Sequence, residues 1–143
     1  MTTIAYTDGV VAYDSRECVG TSIVDDQCNK HRKVGDVHIF SAGRTADEEL
    51  LIQAIQGNAL SDYPESISIV AIVVIDGVVY TAGISKDEGY YFQTERQDNH
   101  FAIGSGSHHA LTAMDLGCSA KEAVKYAMKR DTQTGGKIRT FKI

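Results

Sequence analysis

The sequence predicts an α+β fold in which helices pack on antiparallel sheet, and three observations lead to this prediction. The chain has 143 residues, a length typical of one domain. Strand-like and helix-like runs are segregated along the chain, an order typical of α+β proteins. The segment from Ile69 to Ile75 is continuously apolar, as expected of a strand covered on both faces. A sheet packed on a second sheet, with helices outside, meets these requirements.

Hairpins are predicted in the first third of the chain, where β-branched runs flank turn dipeptides. The turn dipeptides are Asp8-Gly9 and Gly35-Asp36. The predicted strands are Thr3 to Tyr6, Val10 to Tyr13, Cys28 to Val34 and Val37 to Ser41.

A helix is predicted next, because the apolar period changes. Thr45 can cap a helix, and Glu48 follows at the spacing of a capping box. Apolar residues then recur at helical spacing between residues 50 and 55, and Gly57 can end the helix. Residues 58 to 66 have the composition of a loop.

The second half of the chain contains four further predicted strands. Asp76-Gly77 separates two strongly apolar strands, and Gly135-Gly136 forms a turn before the last strand. The predicted strands are Ile67 to Ile75, Val78 to Ile84, Tyr90 to Thr94 and Lys137 to Ile143.

Two helices are predicted between these strands, after the segment Phe101 to Gly104. The first begins near Ser105 or Ser107. The second begins at Ser119, with Glu122 at capping-box spacing.

Composition and charge exclude several classes of function. The net charge is −5 and the sequence has no basic run, so it lacks the electrostatic footprint of a nucleic-acid-binding protein. The longest apolar run is too short to cross a bilayer, and the first residues do not form a signal region. We therefore expect a cytoplasmic protein that binds neither nucleic acid nor membrane.

The three cysteines suggest no metal or cofactor site. Cys18, Cys28 and Cys118 are odd in number and widely spaced, without a CxxC or Cys/His zinc pattern. We expect them to be small apolar side chains in a reducing compartment. No metal and no cofactor is expected.

Five short stretches together resemble one protein family. They are Met1-Thr2-Thr3-Ile4, Tyr13-Asp14-Ser15-Arg16, Ser41-Ala42-Gly43-Arg44-Thr45-Ala46-Asp47, Ala102-Ile103-Gly104-Ser105-Gly106 and Asp131-Thr132-Gln133-Thr134-Gly135-Gly136. In this order, and over nearly the whole chain, they resemble segments of proteasome β-subunits and of the bacterial peptidase HslV, with Thr134 in place of the family's Ser. The resemblance implies the four-layer αββα sandwich of N-terminal nucleophile hydrolases.

The resemblance implies that Thr2 is the nucleophile once Met1 has been removed. A hydroxyl is a poor nucleophile at neutral pH and needs a base. An N-terminal Thr carries that base itself, because its α-amine has a reference pKa of about 7.7–8.0. Only a first residue can work in this way. We therefore expect removal of Met1 and a single peptidase domain over residues 2–143.

The family also has a buried lysine beside the nucleophile, and Lys30 and Lys33 are the two candidates. Counting from Asp14 to the family's lysine position without a gap reaches Lys30. On a strand, residues 30 and 33 face opposite sides, so both cannot point at Thr2. Lys30 is preferred, with Asp14 as its ion-pair partner, and Lys33 is expected in solvent.

The remaining catalytic roles also come from the resemblance. The backbone N–H of Gly43 would stabilise the tetrahedral intermediate, although a glycine there could also serve only a strand-to-helix turn. Ser105, Asp131 and Thr134 would orient the α-amine and its water. Ser105 could instead be a helix cap.

The resemblance also implies a pocket for the side chain that precedes the cleaved bond. Two acids among small residues would suit a basic or polar side chain, although Arg32 can neutralise one of the acids. The implied lining residues are Glu17, Cys28, Ser41, Thr45 and Glu49.

The expected function is a threonine endopeptidase that hydrolyses unfolded polypeptides within a ring-like homo-oligomer. An ATP-dependent unfoldase is a further partner that the family allows. The segment between Gly57 and Ile67 is too short for the second helix usual there, so the number of subunits stays open. A catalytically silent structural subunit and a small-molecule amidohydrolase remain as alternatives. Silent relatives typically lack the Thr or the Lys, which this chain keeps.

Overall fold

The computed structural model describes residues 2–143, which form eleven strands and three α-helices. The expected removal of Met1 concerns a residue outside this range. In chain order the strands are β1 (Thr3–Thr7), β2 (Val10–Tyr13), β3 (Glu17–Val19), β4 (Ser22–Asp25), β5 (His31–Val34), β6 (Val37–Gly43), β7 (Ser68–Ile75), β8 (Val78–Ser85), β9 (Gly89–Thr94), β10 (Phe101–Gly104) and β11 (Arg139–Lys142). The helices are α1 (Glu48–Ile55), α2 (Ser107–Asp115) and α3 (Ala120–Arg130).

The strands form two large antiparallel sheets and one separate hairpin. A four-stranded sheet has the order β10-β1-β2-β11, and a five-stranded sheet has the order β5-β6-β7-β8-β9. Strands β3 and β4 pair only with each other in the described chain. Strands and helices are segregated, so the predicted α+β class is confirmed.

Neighbouring residues of the central strands bury their side chains in different apolar clusters. Successive strand residues point to opposite faces. In β1, Ile4 joins a cluster with Phe40 of β6, whereas Ala5 packs with residues of α2 and α3. In β6, Phe40 faces the four-stranded sheet, whereas Ile39 packs with residues of α1. Residues of each large sheet therefore pack in one cluster with the other sheet and in a second cluster with helix residues.

The continuous apolar run of β7 follows from this arrangement. Ile72 lies in the cluster shared with β1 and β2, and Val73 lies in the cluster shared with α1. Both side chains are fully buried. The prediction of a strand covered on both faces is confirmed.

The two Asp-Gly hairpins have the backbone that their sequences predict. The φ angles are +51° and +75° at Asp8 and Gly9, and +50° and +76° at Asp76 and Gly77. Positive φ at both central residues is typical of a type I′ turn, whose twist matches that of the strands.

One strand prediction needs correction, and one hairpin was missed. Strand β5 begins at His31 rather than at Cys28, because the Cys28 N–H turns away to Ser15 O, at 3.0 Å. The hairpin β3–β4 was not predicted, because its short strands are largely exposed and show no alternation of apolar and polar residues.

The start of the first helix also differs from the prediction. Thr45 does not cap it, because residues Thr45–Asp47 form a 3₁₀ turn and the α-helix begins at Glu48. Asp47 accepts a hydrogen bond from the Ser68 N–H, at 3.0 Å, and so ties this turn to β7.

The loop after α1 agrees with its prediction, since residues 58–66 contain neither helix nor strand. This segment therefore contains no second helix between α1 and β7, as its short length predicted. Among the helices of residues 2–143, none has the length and apolar character needed to cross a bilayer.

The predicted capping box of α3 is present and makes a testable contribution to stability. The Ser119 hydroxyl accepts from Glu122 N at 3.2 Å, and Glu122 Oε1 accepts from Ser119 N at 3.0 Å. Ser119→Ala should lower the free energy of unfolding by about 1 kcal/mol, measured by urea denaturation. Lys121→Ala, at an exposed position of the same helix, is the control and should change it by less than half as much. Equal effects would show that the cap contributes nothing specific.

Candidate active site

Three polar side chains meet at the beginning of β1. The Thr2 hydroxyl donates a hydrogen bond to Asp14 Oδ1 and accepts one from the Lys30 ammonium. Lys30 Nζ also lies 2.7 Å from Asp14 Oδ1. All three side chains are buried. A hydroxyl in contact with a buried ammonium is the arrangement that favours a developing alkoxide.

Asp14, at the end of β2, holds this cluster to the backbone of the fold. Its Oδ1 accepts from the Thr3 N–H at 3.1 Å. Its Oδ2 accepts from the Arg16 N–H at 3.3 Å and from the Gly135 N–H at 3.0 Å. A buried carboxylate needs such partners, because an unpaired one carries a large desolvation penalty. Asp14 therefore fixes Lys30 relative to β1 and to the segment before β11.

Lys30 and Lys33 lie in different surroundings, although Lys30 precedes β5 and strand alternation is therefore not the reason. Lys30 points into the cluster and is 9% exposed, whereas Lys33 is exposed on β5. Burial lowers the pKa of the Lys30 ammonium, and the charge and hydrogen bond of Asp14 oppose this shift. The ion pair thus offsets part of the penalty of burying the charge.

A second hydrogen-bond network surrounds the backbone nitrogen of Thr2. The Thr2 N–H donates to Ser105 Oγ at 3.1 Å, and Ser105 Oγ donates to Asp131 Oδ2 at 2.6 Å. The Thr134 hydroxyl also donates to Asp131 Oδ2, at 2.6 Å, and lies 2.8 Å from Thr3 Oγ1. The structure therefore brings Ser105, Asp131 and Thr134 together in one network, in which Ser105 contacts the nitrogen of Thr2.

The same network controls the charge of Asp131. Burial acts to raise the pKa of this carboxyl, but hydrogen bonds from Ser105, Thr134 and the Gln133 N–H hold it below its ordinary value. The carboxyl is therefore ionised at neutral pH. The Asp131 carboxylate accepts a hydrogen bond from the Ser105 hydroxyl, which in turn contacts Thr2 N.

Close approach explains both glycines of the Gly-Ser-Gly stretch. A Cβ on Gly104, where φ is +97°, would contact Thr2 O, and a Cβ on Gly106 would contact Thr3 Oγ1. Any side chain at either position would displace the beginning of β1. These glycines let α2 start directly beside Thr2.

Gly43 lies at the end of β6 and lines the cavity in front of Thr2. Its φ is +127°, and a Cβ there would lie 2.5 Å from Ser68 O. The glycine is thus required by the neighbouring β7 backbone, in addition to any role toward a ligand.

A cavity of about 190 Å³ opens at Thr2 and Lys30. Four of the five predicted pocket residues line it. They are Glu17, Cys28, Ser41 and Thr45.

The fifth predicted pocket residue, Glu49, does not line this cavity. It is exposed on α1 and is not among the described residues that line the cavity, whereas Glu48 is. The 3₁₀ turn shifts the start of α1, and adjacent helical residues point about 100° apart. Glu48 accepts from Arg32 Nη1 at 2.6 Å and from Ser41 Oγ at 2.7 Å. Arg32 therefore neutralises Glu48, an acid outside the predicted set, and not Glu17 or Glu49.

Sequence reasoning gave no role to several residues that support the site. Thr3 bonds to both networks, through its N–H to Asp14 and through its hydroxyl to Thr134. Arg16 forms a two-point ion pair with Asp26, at 2.9 and 3.2 Å. Thr3 and Arg16 stand in the stretches that carry the family resemblance, which was the available signal.

Solved structures with the same fold give an independent comparison. HslV from Trypanosoma brucei has a TM-score of 0.71 at 18% identity, covering 99% of this chain and 99% of that chain. BPH from Thiobacillus denitrificans has a TM-score of 0.68 at 18% identity, covering 99% and 96%. The same BPH in complex with epoxomicin has a TM-score of 0.69 at 17% identity, covering 99% and 97%.

These structures show that the chain has the fold of HslV over 99% of its length. The identities of 17–18% carry the fold alone. No protein-family model matches the sequence, and no curated protein matches it.

The two lysines give a test of this site. Lys30→Ala should reduce the hydrolysis of fluorogenic peptides, the activity that the resemblance implies, by about a hundredfold or more, because it removes the ammonium at Thr2 Oγ1. Lys33→Ala is the matched control and should keep most activity, since Lys33 is exposed. Circular dichroism should show both variants folded. Equal losses, or the reverse order, would contradict the assignment of Lys30.

Proposed function

We propose that the chain is a threonine endopeptidase that hydrolyses peptide bonds in unfolded polypeptides. The observation that carries this proposal is the contact of the Thr2 hydroxyl with both Lys30 and Asp14, while Thr2 N contacts Ser105. The likeness in fold to HslV and BPH supports it. The three apolar clusters support the αββα layering that this class of enzyme has.

In the proposed mechanism, removal of Met1 converts Thr2 N into a free α-amine. This amine takes the proton of Thr2 Oγ1, and Oγ1 forms a bond to the substrate carbonyl carbon. The Gly43 N–H stabilises the oxyanion. The peptide C–N bond then breaks, and the α-amine passes its proton to the leaving amine. Water hydrolyses the acyl-threonine ester and regenerates the hydroxyl.

The supporting residues have separate roles in this mechanism. Lys30 stabilises negative charge on Oγ1, and Asp14 keeps Lys30 in place. Ser105, tied to Asp131, orients the α-amine. Thr134 holds Asp131 from the other side.

The proposal includes an assembly and a location. Residues 2–143 would act as one peptidase domain in a ring-like homo-oligomer in the cytoplasm, with closed symmetry. An enclosed active site would admit unfolded chains only, and an ATP-dependent unfoldase is the kind of partner that supplies them.

The role of Thr2 can be tested by substitution. The purified active chain should begin at Thr2, as read by N-terminal sequencing. Thr2→Ala should abolish peptide hydrolysis, because it removes the nucleophile. Thr2→Ser should keep measurable activity, because a hydroxyl and an α-amine are both retained.

Three other outcomes would contradict the mechanism or favour a different function. If the protein keeps Met1 and still cleaves peptides, the mechanism is wrong. If it begins at Thr2, assembles and cleaves no peptide across a broad panel, a silent structural subunit becomes the better interpretation. Cleavage of small amides in place of peptides would favour an amidohydrolase.

The cavity predicts a preference for basic side chains before the cleaved bond. Glu48 is paired with Arg32, whereas Glu17 has no ion-pair partner in residues 2–143 and can accept a cation. Glu17→Gln should lower kcat/KM for substrates with Arg about tenfold relative to those with Leu. Glu49→Gln, outside the cavity lining, should leave the ratio unchanged. Fastest cleavage after acidic residues would refute the preference.

A further inference from the structure

The hairpin β3–β4 exposes an unusual concentration of apolar side chains. Val19 is 69% exposed, Ile23 52% and Val24 54%. The hairpin packs mainly on itself, and a two-stranded hairpin alone is only marginally stable in water. Such a concentration of exposed apolar side chains is typical of a protein–protein contact.

The hairpin is also acidic. Between residues 17 and 27 the chain contains Glu17, Asp25 and Asp26 and no lysine or arginine. Asp26 is paired with Arg16, and Glu17 lines the cavity at Thr2. The exposed Asp25 is therefore the acid of the hairpin's outer surface, and no cation of the described chain pairs with it. We call the apolar hairpin with Asp25 the hairpin ridge.

A concave surface of opposite charge lies between α2 and α3. It is a groove of about 590 Å³, and a cavity of about 150 Å³ already takes a molecule such as benzene. Its most exposed apolar side chain, Leu116, is 82% exposed. The lining includes the cations Lys129 and Arg130 and no acid. We call this surface the helix groove.

We propose that the hairpin ridge of one copy of this chain docks in the helix groove of the next copy. The ridge is apolar and acidic, and the groove is apolar with a basic rim. The two surfaces therefore have complementary charges and can bury apolar area against each other. Self-pairing of two ridges or of two grooves would bring like charges together. We propose the head-to-tail form of this contact, which generates rings when the rotation closes.

The contact has a consequence for the active site. Glu17 and Cys18 belong to the hairpin and also line the cavity in front of Thr2. Docking of the ridge fixes the position of this wall. A neighbouring copy thus completes the pocket without contributing an atom to the reaction.

The proposal goes beyond the proposed function by naming the two surfaces. It depends on self-association but not on the chemistry of Thr2. Size is measured by analytical ultracentrifugation and reaction at Thr2 is measured separately, so a catalytically silent chain still tests the contact.

Two charge-introducing variants test the contact from both sides. Val24→Asp damages the ridge, and Leu116→Asp damages the groove, and both sites are exposed, so the fold should persist by circular dichroism. Each variant alone should be monomeric where wild type is oligomeric. Leu60→Asp, at a residue 51% exposed outside both surfaces, is the control and should keep the wild-type size.

Mixing the two variants identifies the head-to-tail arrangement. The Leu116→Asp chain keeps an intact ridge and the Val24→Asp chain keeps an intact groove, so an equimolar mixture at high concentration should form dimers and nothing larger. A monomeric wild type, wild-type size in either variant, or a mixture that stays monomeric would each overturn the proposal.

A second pair of variants reverses charges and leaves the apolar side chains unchanged. Asp25→Lys and Lys129→Glu each place like charges across the contact and should weaken assembly by at least about tenfold in Kd. The chain that carries both changes should recover assembly. Failure of either single variant to weaken assembly would count against the pairing of ridge and groove.

Discussion

The buried ion pair between Lys30 and Asp14 is the interaction on which the site depends. Two buried charges are costly unless their geometry is good and their remaining hydrogen-bond capacity is satisfied. Asp14 meets this condition by accepting from the N–H groups of Thr3, Arg16 and Gly135. These donors come from β1, from the chain after β2 and from the segment before β11. The ion pair can exist only when the four-stranded sheet and its connections are complete.

The site separates the two functional atoms of Thr2 between two charged networks. Lys30 and Asp14 bind the hydroxyl, and Ser105 with Asp131 binds the nitrogen. Both networks can approach Thr2 only because the neighbouring residues are small. A Cβ on Gly104 would clash with Thr2 O, and a Cβ on Gly106 would clash with Thr3 Oγ1. A residue with an activated hydroxyl and a separately oriented nitrogen is what self-catalysed nucleophilic attack requires.

Local signals predicted most of the fold, while features that depend on tertiary contacts were missed. The turn at Asp76-Gly77 and the cap at Ser119 are encoded by neighbouring residues, and both are present. The exposed hairpin β3–β4 shows no alternation, since neither of its faces is buried in the described chain. Glu48 lines the cavity in place of Glu49 because a 3₁₀ turn precedes α1. A hydrogen bond from the Ser68 N–H of a distant strand to Asp47 stabilises this turn. Only the family resemblance predicted that Ser105 and Asp131 lie near Thr2, because these residues are far apart in the sequence.

The central claim is that Thr2 offers a hydroxyl and a free α-amine to one electrophile. A peptide epoxyketone reacts with both groups, so intact-mass analysis followed by peptide mapping tests the claim directly. We expect one inhibitor molecule per chain, on a peptide that begins with Thr2, and none on the Thr2→Ala variant. No adduct, an adduct on another residue, or an adduct on a chain that retains Met1 would contradict the account.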